Sequence, residues 1–119
     1  MEKYNWKAGF STAQKITTGK YYQIGLAESK YDFKNYILFQ KPYELIKDES
    51  PEAEQNGIYA EANGDTCFNK VEYVKITSTA FEALIFGSLF KIDVSEAKIT
   101  KKFKEYAHEI FGEKLTIIE

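Results

Sequence analysis

The chain contains no arginine, for all sixteen of its basic residues are lysine. A guanidinium fork is the usual device for gripping phosphate or carboxylate with two parallel hydrogen bonds. A nucleotide or phosphopeptide site therefore lacks its commonest anchor. Cysteine is almost as scarce: the single Cys67 cannot close an internal disulfide, and with one histidine and no CxxC pair there is no zinc-type ligand set. Glycine-rich loops of the kind that cradle phosphates are missing from the sequence. No apolar run nears the roughly 18–20 residues that a membrane-spanning helix needs. The first ten residues, MEKYNWKAGF, hold no apolar stretch like that of a secretory leader. A net charge of −2 is the wrong field for a polyphosphate backbone. These absences lead to the expectation of a reduced, cytoplasmic protein with no cofactor, no metal, no nucleic acid and no membrane as partner.

What is present fits a globular chain. At 119 residues, with 44% hydrophobic and 29% charged side chains, the expected organisation is one domain over 1–119 with its own core. Nine tyrosines, nine phenylalanines and one tryptophan mean that much of this core is built from rings, with some tyrosines left on the surface.

Alternation of period two dominates the first three quarters of the chain. Trp6, Ala8 and Phe10 share one side of a short strand from about Tyr4 to Phe10. In YYQIGLAE (Tyr21–Glu28), Tyr22, Ile24 and Leu26 share a face, and YILFQK (Tyr36–Lys41) runs into Pro42. The segment Glu44–Asn56 then changes character, with Glu44, Asp48, Glu49, Glu52 and Glu54 against a single Lys47, and reads as an exposed acidic connector. Strand patterns resume in GIYAEA (Gly57–Ala62), VEYVKIT (Val71–Thr77), FEALIF (Phe81–Phe86) and LFKIDV (Leu89–Val94). In the second of these, Val71, Tyr73 and Lys75 oppose Glu72, Val74 and Ile76. Asn63-Gly64 supplies the positive-φ pair that a tight hairpin demands, and Gly87-Ser88 reads as a second two-residue turn.

Beyond Val94 the period shifts to that of a helix. Ile99, Phe103, Tyr106, Ala107 and Ile110 predict an amphipathic helix over Glu96–Phe111, with Ser95 as N-cap and Gly112 as stop. Its lysines (98, 101, 102, 104) come first and its glutamates (105, 109, 113) last, an order that opposes the helix dipole. Only a Lys101–Glu105 pair returns some of that cost. Leu115–Ile118 is expected to add a last edge strand. The fold class that follows is α+β: an antiparallel meander sheet of about five to seven strands with one C-terminal amphipathic helix packed on it.

Chemistry-bearing residues are sparse. His108 falls opposite the apolar stripe and is expected at the surface, and Cys67 after a turn is expected to be a small packed side chain. Glu28, Glu61, Asp65 and Glu72 lie on or beside neighbouring strands. A carboxylate-dependent enzyme would use Glu28, Glu61 and Asp65 of these, which requires one pKa raised in a pocket. A ring-rich core enclosing a cavity is the other alternative, a small-molecule-binding module. The expectation is that the chain is not an enzyme.

The order GLAE (Gly25–Glu28), YILFQKP (Tyr36–Pro42), acidic insert, GIYAE (Gly57–Glu61), short loop, VEYVKIT and a further strand resembles the tenth numbered immunity-protein family of bacterial polymorphic toxin systems. The resemblance spans roughly Tyr21 to Phe86. It implies a small cytoplasmic inhibitor that blocks a cognate toxin by direct stoichiometric binding. It points to Glu28, Gln40, Tyr59 and Glu61 as positions matching the family's recurrent polar residues, serving either the toxin contact or a network that pins adjacent strands. After its Tyr-x-Glu strand the family tends to carry a glutamine, where this chain reads NGDT (63–66). Independently of the resemblance, the acidic segment, with Glu49, Glu52 and Glu54, is expected to face a basic toxin, since acidic surface steers such a partner. Oligomeric state is left open.

Overall fold

A computed structural model describes residues 2–29, 35–43 and 57–118. The class is α+β, but the strands form two five-stranded sheets with one C-terminal helix packed against them. Strands β2 (Phe10–Ile16), β3 (Tyr21–Ala27), β4 (Tyr36–Pro42), β5 (Tyr59–Ala62) and β6 (Asp65–Phe68) follow one another in sequence order as an antiparallel meander. The second, mixed sheet has the order β1-β9-β8-β7-β10, built from β1 (Lys3–Lys7), β7 (Val71–Ile76), β8 (Ala80–Ile85), β9 (Ser88–Asp93) and β10 (Leu115–Ile117). Its centre is antiparallel, while the two edges, β1 on β9 and β10 on β7, pair in parallel. The expected single meander is thus two sheets.

The chain changes sheet at two places, and backbone hydrogen bonds show how. The Ala8 amide donates to the Asp93 carbonyl in the mixed sheet (2.8 Å), and the next amide, Gly9, donates to Ala27 in the meander (3.0 Å). The strand expected over Tyr4–Phe10 is therefore divided between the two sheets. Glycine suits the corner because a Cβ at position 9 would lie 2.8 Å from the Glu28 carbonyl oxygen. The return crossing is at Asn69, which has φ 55° and clamps Ile58 from both sides: its amide donates to the Ile58 carbonyl, and its Oδ1 accepts from the Ile58 amide.

Two hairpins have positive φ at both central residues, the geometry that matches strand twist. Asn63-Gly64 (φ 51° and 93°) joins β5 to β6 as expected. The other turn sits one residue earlier than the sequence suggests, at Phe86-Gly87 (φ 47° and 80°), with Ile85 facing Ser88 across it. A β-bulge between Val71 and Tyr73 also breaks the simple alternation of β7. It returns Val71 to the buried side with Val74 and Ile76, leaving Glu72 exposed.

Helix α1 covers Lys101–Phe111, shorter than the expected Glu96–Phe111. Thr100, not Ser95, is the N-cap, and its hydroxyl accepts from the Phe103 amide at 3.0 Å. The Lys98 carbonyl accepts a hydrogen bond from the Ser11 hydroxyl of β2, which ties the preceding segment to the meander. No acidic residue occupies the first turn, and Lys101 pairs with Glu105 at 3.9 Å. Phe103, Ala107, Ile110 and Phe111 form its buried stripe. Gly112, at φ 55°, ends the helix with its amide on the His108 carbonyl.

The two sheets and α1 share one core of buried residues. Phe39 of the meander is its pivot: its ring lies 5.8 Å from Phe81 of the mixed sheet and 4.9 Å, edge-on, from Phe111 of α1. Phe103 meets Phe81 at 6.2 Å. Each fully buried ring of this kind contributes about 1.5–3 kcal/mol relative to exposure, and packing of rings from all three layers holds them together.

Candidate functional site

Period-two geometry gives the meander an inner face of Ala13, Ile24, Phe39, Ala60 and Cys67, aligned across all five strands. The neighbouring residues on each strand point the other way, into solvent. Register then builds two rows on the outward face. One runs Gln14–Gln23–Gln40–Tyr59–Phe68, and the other Thr12–Gly25–Leu38–Glu61–Thr66. Tyr36, Ile16 and Tyr21 flank them. Among the described residues Glu61 is the one carboxylate on this face, and no lysine lies on it. The outward face of the mixed sheet is the internal control: it carries Lys3, Lys7, Lys75, Glu82, Lys91 and Asp93. Both faces belong to one chain, so its overall composition does not account for the difference.

Glu61 is held from two sides. The Tyr36 hydroxyl donates to Oε2 at 2.5 Å and the Tyr59 hydroxyl to Oε1 at 2.6 Å. These bonds stabilise the ionised carboxylate, so its pKa lies below the ordinary value, with Tyr36 the larger cause and Tyr59 the second. Reciprocally, the bond to Glu61 raises Tyr36, and it pushes Tyr59 up to about 12. The Tyr36 hydroxyl also accepts from the Gly64 amide at 2.9 Å, which fixes the β5–β6 turn over β4. Each carboxylate oxygen retains lone-pair capacity for one further donor from outside.

The sequence-predicted positions sort clearly. Gln40, Tyr59 and Glu61 share the outward face, and the Gln40 amide donates to Gln23 Oε1 at 2.6 Å. Glu28 stands at the rim beyond β3, where Asn35 Nδ2 donates to it at 2.5 Å. Asn35 in turn accepts from Asn63 Nδ2 at 3.0 Å, and Asn63 Oδ1 accepts from the Tyr36 amide at 2.8 Å. All four positions thus take part in side-chain bonds within or beside the meander. Glu49, Glu52 and Glu54 lie outside the described residues. Sequence reasoning missed Tyr36, Gln23, Leu38 and Phe68 as members of this face. Their signal was the alternation itself, but assigning them needs the register of strands paired across loops.

The residues set aside on sequence grounds are placed as follows. His108 is exposed on α1. Cys67 is half-buried, and burial raises its thiol pKa, the reverse of an activated nucleophile. Among the described residues, Glu61 and Asp93 are the carboxylates with shifted pKa values, and both are lowered, Asp93 by its hydrogen bonds from Ser95. Glu72 accepts from the Gly87 amide at 3.2 Å. Among the described residues no group of His, Cys, Asp and Glu is arranged to hold a metal ion, and no helix is long and apolar enough to cross a membrane.

Comparison with protein-family models, with curated proteins and with solved structures gives no match. The likeness to the immunity family therefore rests on the sequence segments that carry it.

Proposed function

We propose that this chain is a cytoplasmic immunity protein, which neutralises a cognate bacterial toxin by stoichiometric binding through the outward face of the meander sheet. One observation carries the reading: a solvent-facing sheet surface of Gln, Tyr, Phe, Leu and Thr with a single carboxylate, on a chain whose other sheet face is studded with charge. Depletion of charge and enrichment in aromatics mark the centres of protein interfaces. Glu61, ionised and fixed by two phenols, offers a partner's basic side chain an acceptor that needs no reorganisation on binding. The family resemblance supports the same reading, since three of its four polar positions, Gln40, Tyr59 and Glu61, fall on this face. The acidic segment joins β4 to the β5 region, the strands that bear them, and would add long-range steering of a basic toxin. An inhibitor of this kind requires no catalytic set and no cofactor.

The test is a growth-rescue assay with the toxin domain encoded beside this gene. Wild-type chain is expected to restore growth and to co-purify with the toxin. Leu38→Lys on the meander face is expected to abolish rescue with little change in Tm, and Lys91→Glu on the mixed-sheet face to leave it intact. Rescue that survives Leu38→Lys but fails with Lys91→Glu would overturn the assignment of the face.

A further inference from the structure

The two sheets are not closed against each other everywhere. On the β2–β4 side the gap is filled by α1, through Phe103 and Phe111. At the β5–β6 end the inner face offers only Ala60, Ala62 and Cys67 toward Ile85 and Phe90 of the mixed sheet. These small side chains leave a cleft of about 280 Å³. Tyr4 completes its wall, with its ring stacked on Phe90 at 4.7 Å and 14° between planes. The mouth carries Glu2 and Asp65, both exposed, with the Tyr4 hydroxyl donating to Glu2. Among the described residues no lysine lines the cleft, although lysine supplies every one of the sixteen basic residues. Lys70, outside the lining, rests over the Phe86 ring with its Nζ 5.3 Å from the centroid.

Phe86 itself also lines the cleft, and its backbone is unusual. It stands at the tip of the β8–β9 hairpin, 73% exposed, with φ 47°. A left-handed conformation costs a non-glycine residue about 1–2 kcal/mol, and Asn or Gly is the ordinary choice for such a turn. A large apolar ring held there at a cost, out in water beside an apolar cleft, has no role in the packing of the core.

We propose that this cleft is a binding site for a small organic cation, a primary amine on a short apolar stem. The apolar walls take the stem, the carboxylates of Glu2 and Asp65 take the ammonium, and Phe86 covers the opening. Liquid water occupies roughly 30 Å³ per molecule, so the volume suits a ligand of about nine non-hydrogen atoms, at the small end of ligand sites. The site lies between the sheets and is bordered also by Glu61 and Thr66 of the meander, but its test reads ligand-induced shifts at Tyr4, Cys67 and Phe90 and so fails separately from toxin rescue.

Phenethylamine is the probe and 2-phenylethanol its neutral counterpart, each titrated into the full-length protein at millimolar concentrations and followed by amide chemical shifts. The amine is expected to perturb residues around Tyr4, Ala60, Cys67 and Phe90, to bind at least tenfold more tightly than the alcohol, and to slow alkylation of the Cys67 thiol. Glu2→Gln with Asp65→Asn, both at exposed positions, is expected to bring the amine down to the affinity of the alcohol. Ala62→Phe is expected to fill the cleft and abolish both. If that variant misfolds, the charge variant decides. Equal binding of amine and alcohol, shifts away from the cleft, or none with either probe would overturn the proposal.

Discussion

Replacing Glu61 by glutamine keeps the side chain's shape and removes the charge on which two phenols converge. Tyr59 is held at about 12 first by its bond to Glu61, then by burial, then by the Glu61 charge. Taking the first and third causes away lowers it toward the ordinary value near 10, with burial still holding it up. At pH 11 a tyrosine of pKa 12 is ~10% ionised and one of pKa 10 is ~90% ionised. The variant is thus expected to show up to ~0.8 of an additional tyrosinate at that pH, with a smaller contribution from Tyr36. Ultraviolet absorbance at high pH reads the sum, and carbon NMR of the Tyr59 ring reads the residue itself.

Stability should follow the same groups. The folded pKa of Glu61 is lowered, so its contribution is present above the unfolded value near 4.5 and is lost as pH falls through the folded value. Tyr59 is raised, so its contribution is present below 10 and is lost as pH rises from 10 toward about 12. Both slopes should flatten in Glu61→Gln. Because the face is open to water and salt, the loss at neutral pH is about 1 kcal/mol rather than the larger value of a buried charged hydrogen bond. Identical high-pH titration of Tyr59 in wild type and variant would refute the reasoning, since the hydrogen bond could not then be what raises it.

Phe39→Ala removes the ring that touches both the other sheet and α1, and is expected to cost about 3–5 kcal/mol. That is a Tm drop of roughly 10 °C or more, checked by calorimetry. Gly9→Ala forces a Cβ against the Glu28 carbonyl where the chain changes sheet, and should lower the midpoint of denaturant unfolding, whereas Gly64→Asn, at a turn with open space around it, should be far milder. Phe86→Asn is expected to raise stability by about 0.5–1 kcal/mol, because asparagine tolerates the left-handed conformation and the ring it replaces buries little. An unchanged or lower Tm in that variant would mean the hairpin tip is not strained.

Much of the architecture was legible because it is local. Alternation in YYQIGLA and YILFQKP names the buried set Ile24, Leu26, Ile37 and Phe39. Asn63-Gly64 encodes its own turn, and the 3.6-residue period after Val94 encodes the helix. The misreadings are those where a non-local contact outweighs local preference. Ser95 has a capping side chain, yet the helix waits for Thr100, while Lys98 is engaged by Ser11, which is 87 residues away. Phe86 reads as the end of a strand, yet the pairing of Ile85 with Ser88 turns it into a hairpin tip.

The sequence by itself therefore determined which residues are apolar in which period, and with that the α+β class and the inner face of most strands. Side-chain alternation and turn chemistry act over a few bonds and need no partner. Only the tertiary structure decided that the strands divide into two sheets, because residues 86 and 41 positions apart pair at the two parallel edges and a glycine corner lets the chain cross between layers. It alone also gathered Gln23, Gln40, Tyr36, Tyr59 and Glu61 on one charge-poor surface, and left a cleft between the layers. Register across strands fixes what stands beside what, and register is set by the packing of the whole core rather than by any one segment.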